Sequence, residues 1–291
     1  MPQNLSQTDV SPQSAAKDHA YRAQLDVLTT ATKKAGEMAR TFQQKGFARL
    51  DNKAQGDPFL TEADMALDAY LKETLTAAFP DYGWLSEETD TDPRSLENDF
   101  CWIVDPIDGT RGFVDGKSSF AVSVGLVHRG QPVAGGVYAP MEDVLITGAV
   151  GEGVFLNGQA TQTTAMQRTT REETARTPEI LVSNTEVSKG LWQGLEHEFC
   201  LTPKGSVAYK LALLAAGQTQ GVISLKPKNL HDVCAGHAML AATGGVLRDL
   251  NKSDVLYTVP DHALTGLVAA PTADYAHAFF QRLRQSAEQT R

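Results

Sequence analysis

Apolar residues recur at helical spacing in the first part of the chain. Between residues 18 and 44 they alternate in steps of three and four, which places them on one face of an amphipathic helix. They are Leu28, Ala31, Ala35, Met38 and Phe42. After a Gly-Asp-Pro break at residues 56–58, Thr61 is suited to cap a second helix that runs to about Ala78 and ends before Pro80.

Short apolar, β-branched runs in the middle of the chain are typical of strands. The run CWIVD at residues 101–105 stops at Pro106, so we expect a buried strand that leads into a loop. Further runs separated by turn residues predict an antiparallel sheet region, at residues 120–127, 132–139 and 143–150. These elements form an expected amino-terminal α+β part over residues 21–160, preceded by a loose tail at 1–20.

Strand and helix patterns alternate in the remainder of the chain. An exposed connection is expected first, because residues 161–178 are rich in Thr and Arg. Strands are then predicted at 179–183, 221–225 and 264–270, and helices at 207–217, 232–245 and 272–288. The pattern predicts a carboxy-terminal α/β part over residues 161–291.

Composition places the chain among ordinary globular proteins. Of its 291 residues 42% are hydrophobic and 21% charged, and no window has the ~20 consecutive apolar residues that a membrane span needs. A net charge of −9 argues against a binder of nucleic acid or of an anionic membrane. The polar amino terminus does not resemble a signal peptide and the three cysteines have no pairable spacing, so a cytoplasmic protein is expected.

The acidic residues are concentrated in one stretch of the sequence. Residues 51–108 contain 15 acidic side chains and three basic ones, a net charge of −12. So many carboxylates in one folded region repel one another unless water or cations compensate them. The distribution therefore suggests a cation site.

The densest chemical signal is the segment WIVDPIDGT at residues 102–110. A strand ending in Asp105, followed by a proline and then Asp108, turns two carboxylates toward one point, as a hard cation requires. If Thr110 begins a helix, the free amides of Gly109 and Thr110 face the same point and could receive a phosphate. The alternative is a simple turn in which Asp108 caps its own loop and Asp105 is solvated.

Two further acidic positions could complete such a site. Glu87 and Glu88 are adjacent in an extended segment, so at most one of them can point toward Asp105 and Asp108. Asp232 stands at the start of a predicted helix. The alternatives are a solvated glutamate pair and an N-cap role for Asp232.

Six segments together carry a resemblance to a known family. They are DPFLTEAD (57–64), FPDYGWLSEE (79–88), WIVDPIDGTRGF (102–113), GVFLNG (153–158), GSVAYKLALLAAG (205–217) and HDVCAGHAMLAATGG (231–245). In this order they resemble the inositol monophosphatase superfamily of metal-dependent, lithium-sensitive phosphomonoesterases. The resemblance implies an α/β fold, the layered αβαβα sandwich of inositol monophosphatase and fructose bisphosphatase, with the site between its two parts. It also implies a homodimer.

The resemblance further implies a centre that holds two to three Mg²⁺ ions. The first ion would bind Glu87, Asp105 and the carbonyl of Ile107. A second would lie between Asp105, Asp108 and Asp232, and a third, looser one near Glu87.

Catalytic and phosphate-binding roles follow from the same resemblance. Thr110, oriented by Asp64, is expected to position and deprotonate the nucleophilic water. The amides of Gly109 and Thr110 are expected to hold phosphoryl oxygens, and Gly205 and Ser206 to contact the substrate.

Departures from the family pattern bear on the substrate. Inositol-preferring members carry an acidic residue where this chain has Leu225. The run Arg111-Gly112-Phe113 more closely resembles the nucleotidases that remove the 3′-phosphate of adenosine 3′,5′-bisphosphate. Arg111, Lys226 and Lys228 are then expected to meet a second phosphate, the alternative for the two lysines being a solvated basic turn.

One departure lies next to the expected metal ligands. Where the family usually has Trp immediately before the last metal-binding aspartate, this chain has His231. A packing position with an unligated histidine is the favoured interpretation, and a new metal ligand is the alternative.

The expected function is therefore that of a magnesium-dependent phosphomonoesterase acting on a small phosphorylated metabolite. Adenosine 3′,5′-bisphosphate is the favoured substrate, and inositol phosphates, fructose bisphosphate and histidinol phosphate are its rivals. A non-catalytic regulatory binding protein on the same scaffold is the alternative from another class.

Overall fold

The computed structural model describes residues 19–50, 59–89, 92–161, 177–258 and 263–289. The expected loose tail lies outside these residues except for its last two positions, as does most of the connection expected at 161–178. The helices among the described residues are α1 (Arg22–Lys45), α2 (Glu62–Ala78), α3 (Thr110–Val114), α4 (Asn184–Ser188), α5 (Val207–Ala215), α6 (Leu230–Thr243) and α7 (Ala273–Gln289), with a 3₁₀ turn at Pro93–Glu97.

The strands form two sheets. A seven-stranded sheet has its strands in chain order: β1 (Gly83–Ser86), β2 (Phe100–Asp108), β3 (Ala121–His128), β4 (Gln131–Ala139), β5 (Val144–Ala149), β6 (Gly153–Leu156) and β7 (Gln159–Ala160). A five-stranded sheet has the order β11-β12-β10-β8-β9, formed by β8 (Glu179–Ser183), β9 (Cys200–Lys204), β10 (Gly221–Ser224), β11 (Val246–Asp249) and β12 (Leu267–Ala270). Of the strand pairs described in the first sheet, that of β1 with β2 is parallel and the others are antiparallel, whereas the second sheet is mixed.

Helices and sheets stack in five layers. Helices α1 and α2 cover one face of the first sheet, α5 and α6 lie between the two sheets, and α7 covers the outer face of the second. Three apolar clusters fill the successive interfaces. The αβαβα sandwich expected from the resemblance is therefore confirmed.

The two amino-terminal helices follow the sequence pattern closely. Thr61 caps α2, since its hydroxyl accepts a hydrogen bond from the Ala63 amide at 3.2 Å. Asp64 completes the cap, because its carboxylate accepts from the Thr61 amide at 2.9 Å and from the Thr61 hydroxyl at 2.6 Å. This reciprocal pair determines where α2 begins.

Strand β2 runs three residues further than the sequence predicts. Asp105 lies opposite Ser123 and Asp108 opposite Ala121, so β2 carries one extra residue between these pairs and forms a bulge. A bulge leaves an amide unpaired, which is why Pro106 is accommodated and does not end the strand. The predicted loop after residue 105 is therefore wrong.

The start of α6 also differs from the prediction. The helix begins at Leu230, and Asn229 is its N-cap. Asp232 occupies the third helical position and accepts a hydrogen bond from the Asn229 amide at 2.7 Å.

Within the described ranges, none of the helices has the length and apolar character needed to cross a membrane.

Candidate metal centre

Glu87 directly follows strand β1, and Asp105 lies beside it in the parallel neighbouring strand β2. Strands β1 and β2 pair with Ser86 opposite Val104, and the Glu87 amide donates to the Val104 carbonyl at 3.2 Å. The next residue of each strand therefore projects from the same edge of the sheet. Asp105 is buried, whereas 32% of the Glu87 side chain is exposed.

Asp108 caps a helix that belongs to the other half of the chain. Its carboxylate accepts hydrogen bonds from the Ser206 hydroxyl and the Ala208 amide, both at 2.6 Å. Asp105 accepts one from the Ile107 amide at 3.0 Å and is buried. The alternative of a simple turn with a solvated Asp105 is therefore wrong.

The candidate ligand atoms fall into two groups that share Asp105. One group contains Glu87, Asp105 and His231, the other Asp105, Asp108 and Asp232, and the atoms of each group lie within 4.8 Å of one another. Burial raises the pKa of all four carboxyls, and the nearby carboxylates raise that of Asp105 further. Crowded carboxylates of this kind suit divalent cations with oxygen ligands, so the residues fit the metal centre that the resemblance implies.

His231 faces the carboxylates. Its Nε2 atom lies 3.8 Å from Glu87 Oε1 and 3.8 Å from Asp232 Oδ1. Burial lowers the pKa of the imidazole, against the opposing effect of Glu87 and Asp108. The ring is therefore part of the site rather than a packing element remote from it.

Thr110 makes a different hydrogen bond from the one that the resemblance implies. Its hydroxyl donates to the Ile107 carbonyl at 3.0 Å. Because a hydroxyl has one proton, Thr110 does not donate to Asp64 in this arrangement. The hydrogen bonds to Asp64 described above come from Thr61.

Two glycines bring separate segments together around Ser119. Gly109 joins β2 to α3 with φ 97° and ψ 36°, and a Cβ atom there would lie 2.9 Å from the Ser119 carbonyl oxygen. A Cβ atom on Gly205 would lie 2.5 Å from the same oxygen. The condition that a helix begins at Thr110 is met by the short helix α3.

A cleft of about 560 Å³ opens beside the carboxylates. Among the described residues its lining includes Asp108 and Asp232, the expected substrate contacts Gly109, Gly205 and Ser206, and five cationic residues, Arg111, Lys117, Lys189, Lys210 and Lys228. Thr110 and Lys226, although described, are not among the lining residues. The cleft thus combines the carboxylates of Asp108 and Asp232 with five cationic side chains, of which Lys117 pairs with another lining carboxylate, Asp115, at 3.3 Å.

Lys210 is a candidate that sequence reasoning missed. Its buried Nζ donates to the carbonyls of Lys204 at 3.1 Å and Ser206 at 3.0 Å, and burial lowers the pKa of its ammonium to about 8. A single lysine within the apolar helix VAYKLALLA was the available signal. Lys117 and Lys189 lie in polar surroundings along the sequence, where an isolated lysine gives no such signal.

Comparisons with known proteins agree with the family resemblance of the sequence. A family model described as the inositol monophosphatase family matches residues 20–289. Inositol monophosphatase 3 of Solanum lycopersicum is 30% identical over 273 residues, which cover 90% of this chain and 96% of that protein. The 3′(2′),5′-bisphosphate nucleotidase CysQ of Escherichia coli K12 is 32% identical over 213 residues, 71% of this chain and 82% of that protein.

A solved structure supports the fold. The extragenic suppressor protein SuhB from Bartonella henselae superposes with a TM-score of 0.73 at 24% identity, covering 90% of this chain and 98% of that one. At this identity the likeness concerns the fold alone, and it agrees with the five layers. Because the family match extends over nearly the whole chain, the protein belongs to the inositol monophosphatase family of phosphatases.

Proposed function

We propose that this phosphatase is a magnesium-dependent phosphomonoesterase whose preferred substrate carries two phosphates, with adenosine 3′,5′-bisphosphate favoured over inositol 1-phosphate. The observation that carries the proposal is the cleft that is lined both by two proposed metal ligands, Asp108 and Asp232, and by five cationic side chains. The carboxylates, through the cations that they would bind, suit the reacting phosphate, and the cationic side chains suit an additional phosphate.

The metal centre is proposed to use the two groups of ligand atoms. Asp105 belongs to both groups, so it is the proposed bridging ligand, and Ile107 is proposed to contribute its carbonyl. Two divalent cations bound in this way would stabilise charge on the attacking and leaving oxygens of an in-line displacement. The raised pKa values of the four carboxyls support the assignment, because burial, and for Glu87, Asp105 and Asp108 also the neighbouring carboxylates, disfavour charge that a bound cation would compensate.

Thr110 and Asp64 are proposed to orient the nucleophilic water. In the described arrangement the Thr110 hydroxyl donates to Ile107. If the Thr110 side chain rotated so that its hydroxyl donated to Asp64, this carbonyl would be freed and the hydroxyl oxygen could accept a hydrogen bond from the water. The proton of the water would then pass to Thr110 as Thr110 passes its own proton to the Asp64 carboxylate. The amides of Gly109 and Thr110 are proposed to donate to the phosphoryl oxygens.

The surroundings of Leu225 argue against recognition of an inositol ring by a carboxylate. Leu225 stands where inositol-preferring relatives are expected to carry an acid, and its amide donates to the Glu186 carboxylate at 3.2 Å. Glu186 is buried and accepts hydrogen bonds from the Ser224 hydroxyl, the Leu225 amide and the Trp192 indole. Its oxygens are thus engaged within the protein and are poorly placed to bind sugar hydroxyls.

The cationic side chains favour a second phosphate instead. Charge-assisted hydrogen bonds between phosphate and Arg or Lys contribute roughly 1.5 to 3 kcal/mol each. Lys228 lines the cleft near Asp232, whereas Lys226 belongs to the same turn but not to the lining. Lys228 is therefore the proposed contact, and Lys226 provides a matched control.

The substrate assignment is tested by kcat/KM for four compounds: adenosine 3′,5′-bisphosphate, inositol 1-phosphate, fructose 1,6-bisphosphate and histidinol phosphate. We expect the bisphosphate nucleotide to be hydrolysed best. Lys228→Ala should lower its kcat/KM roughly 10- to 100-fold and leave inositol 1-phosphate within about threefold, while Lys226→Ala changes neither. A preference for inositol 1-phosphate that Lys228→Ala does not alter would contradict this substrate but not the phosphatase activity.

Three further expectations stay predictions. They are the homodimer, the cytoplasmic location, and the division of the chain at residue 160 into an α+β part and an α/β part that supplies Asp232.

A further inference from the structure

His231 brings a nitrogen atom to a centre that otherwise offers oxygen ligands. It lies in the first turn of α6, next to Asp232, and 13% of its side chain is exposed. Its Nε2 atom shares one group of candidate ligand atoms with Glu87 and Asp105. The position is unexpected for a family in which Trp is usual there, because an indole cannot bind a cation through a nitrogen lone pair.

The distances around Nε2 match those between ligands of one ion. Two atoms bound to one ion at about 2.1 Å lie about 3 Å apart when adjacent and about 4.2 Å apart when opposite. Nε2 is 3.8 Å from Glu87 Oε1, which is too long for a hydrogen bond and within this interval. Asp232 Oδ1, which belongs to the neighbouring group, also lies 3.8 Å from Nε2.

The tautomer is also favourable. Among the described residues, Asn229 Nδ2 lies 3.5 Å from His231 Nε2. An amide nitrogen can only donate, so this contact is compatible with a ring proton on Nδ1, and a cation at Nε2 would replace Asn229 as the partner of the lone pair. A neutral imidazole with the lone pair on Nε2 is the form that binds metal ions.

We propose that His231 Nε2 is a ligand, together with Glu87 and Asp105, of a cation site that binds Mn²⁺ and related transition-metal ions in preference to Mg²⁺. The inference rests on the metal centre of the proposed function and adds a donor to it. Imidazole favours transition-metal ions over Mg²⁺, whereas the neighbouring group of Asp105, Asp108 and Asp232 offers oxygen only. The two halves of the centre would therefore differ in metal preference.

The test is electron spin echo spectroscopy of Mn²⁺ bound to the full-length protein, which detects a coordinated ¹⁴N nucleus directly. We expect nitrogen modulation in the wild type and its loss in His231→Gln. The matched control is His128→Gln, since His128 pairs with Phe100 at the opposite end of β2 and its replacement should leave the modulation unchanged. Calorimetry should show Mn²⁺ binding weakened about tenfold or more in His231→Gln, and Mg²⁺ binding changed less than threefold.

The outcomes separate this inference from the proposed function. Mn²⁺ bound to the wild type without nitrogen modulation would overturn the role of His231 and leave the metal centre intact. If the wild type bound neither Mn²⁺ nor Mg²⁺, the metal centre itself would fail. Should His231→Gln not fold, the same measurement is made on wild-type protein labelled with ¹⁵N-histidine. We expect the ¹⁴N signal to be replaced by a ¹⁵N signal, and persistence of the ¹⁴N signal would contradict the proposal.

Discussion

The Ser206 hydroxyl donates a hydrogen bond to the Asp108 carboxylate at 2.6 Å, joining residues 98 positions apart in the chain. Asp108 ends β2 in the amino-terminal half, and Ser206 is the N-cap of α5 in the other half. Ser206 also accepts a hydrogen bond from the Tyr209 amide at 3.0 Å. One hydroxyl thus starts a helix and holds a proposed metal ligand.

Ser206→Ala should affect both stability and metal binding. Loss of the cap and of the hydrogen bond to Asp108 should lower the free energy of unfolding by about 1 to 2 kcal/mol, measured by urea denaturation. Affinity for Mg²⁺ should fall as well, because Asp108 is no longer held in place. Ser253→Ala, at an exposed position, is the control and should change stability by less than about 0.5 kcal/mol. Unchanged Mg²⁺ affinity in Ser206→Ala would limit the hydroxyl to a structural role.

Asp105→Asn should reduce activity more than Asp232→Asn. Asp105 belongs to both groups of ligand atoms, whereas Asp232 belongs to one. Both substitutions conserve size and remove one negative charge, so they are matched to each other. Steady-state phosphate release at saturating Mg²⁺ measures the two effects, and an equal or larger loss in Asp232→Asn would contradict the bridging role of Asp105.

Addition of Mg²⁺ should stabilise the folded protein against heat. Burial raises the pKa values of Asp105 and Asp108, and repulsion from neighbouring carboxylates raises them further; a cation that binds only the folded chain removes that repulsion. At a free concentration 100 times its Kd, binding adds about 2.7 kcal/mol, which corresponds to a rise of several degrees in Tm. Metal-free Asp105→Asn should melt at or above the metal-free wild type and respond little to Mg²⁺. A lower Tm for this variant without metal would argue against repulsion at the site.

His237 makes stability depend on pH in the acidic range. Burial, with a smaller contribution from Arg248, lowers the pKa of its imidazole to about 4. An unfolded histidine takes up its proton near pH 6.5, whereas the folded one does so only near 4, so the stability contributed by the neutral ring is lost as pH falls between these values. The full loss is up to about 3 kcal/mol.

His237→Asn keeps an acceptor for the Tyr257 hydroxyl, which lies 3.1 Å from His237 Nδ1, and removes this titration. Between pH 7.5 and 5 the variant should therefore lose less unfolding free energy than the wild type in urea titrations. Equal losses in the two proteins would show that His237 is not the group responsible.

Sequence reasoning identified the elements whose boundaries depend on local chemistry. Thr61 marks the start of α2 because the cap lies within four residues, and Gly109 followed by Thr110 marks the start of α3. The convergence of Asp105 and Asp108 was predictable because only Pro106 and Ile107 separate them, although a bulge in β2 produces it and not the predicted strand end.

Features that depend on pairing between residues far apart in the chain could not be predicted from the sequence. The bulge that carries β2 through Pro106 requires β3 as a partner. The capping of α5 by Asp108 crosses 98 positions, and the cleft collects Lys117 and Lys189 from separate loops. None of these relationships leaves a periodic or local signal in the sequence.

Release of inorganic phosphate from the four compounds named above, measured as a function of Mg²⁺ concentration, tests the phosphatase activity and its metal dependence together. We expect turnover that is abolished by EDTA, restored by Mg²⁺ and reduced by Asp105→Asn by a factor of at least about 100. Absence of Mg²⁺-dependent turnover on all four compounds, by a folded wild-type protein, would contradict the proposed function and favour a non-catalytic binding protein on this scaffold.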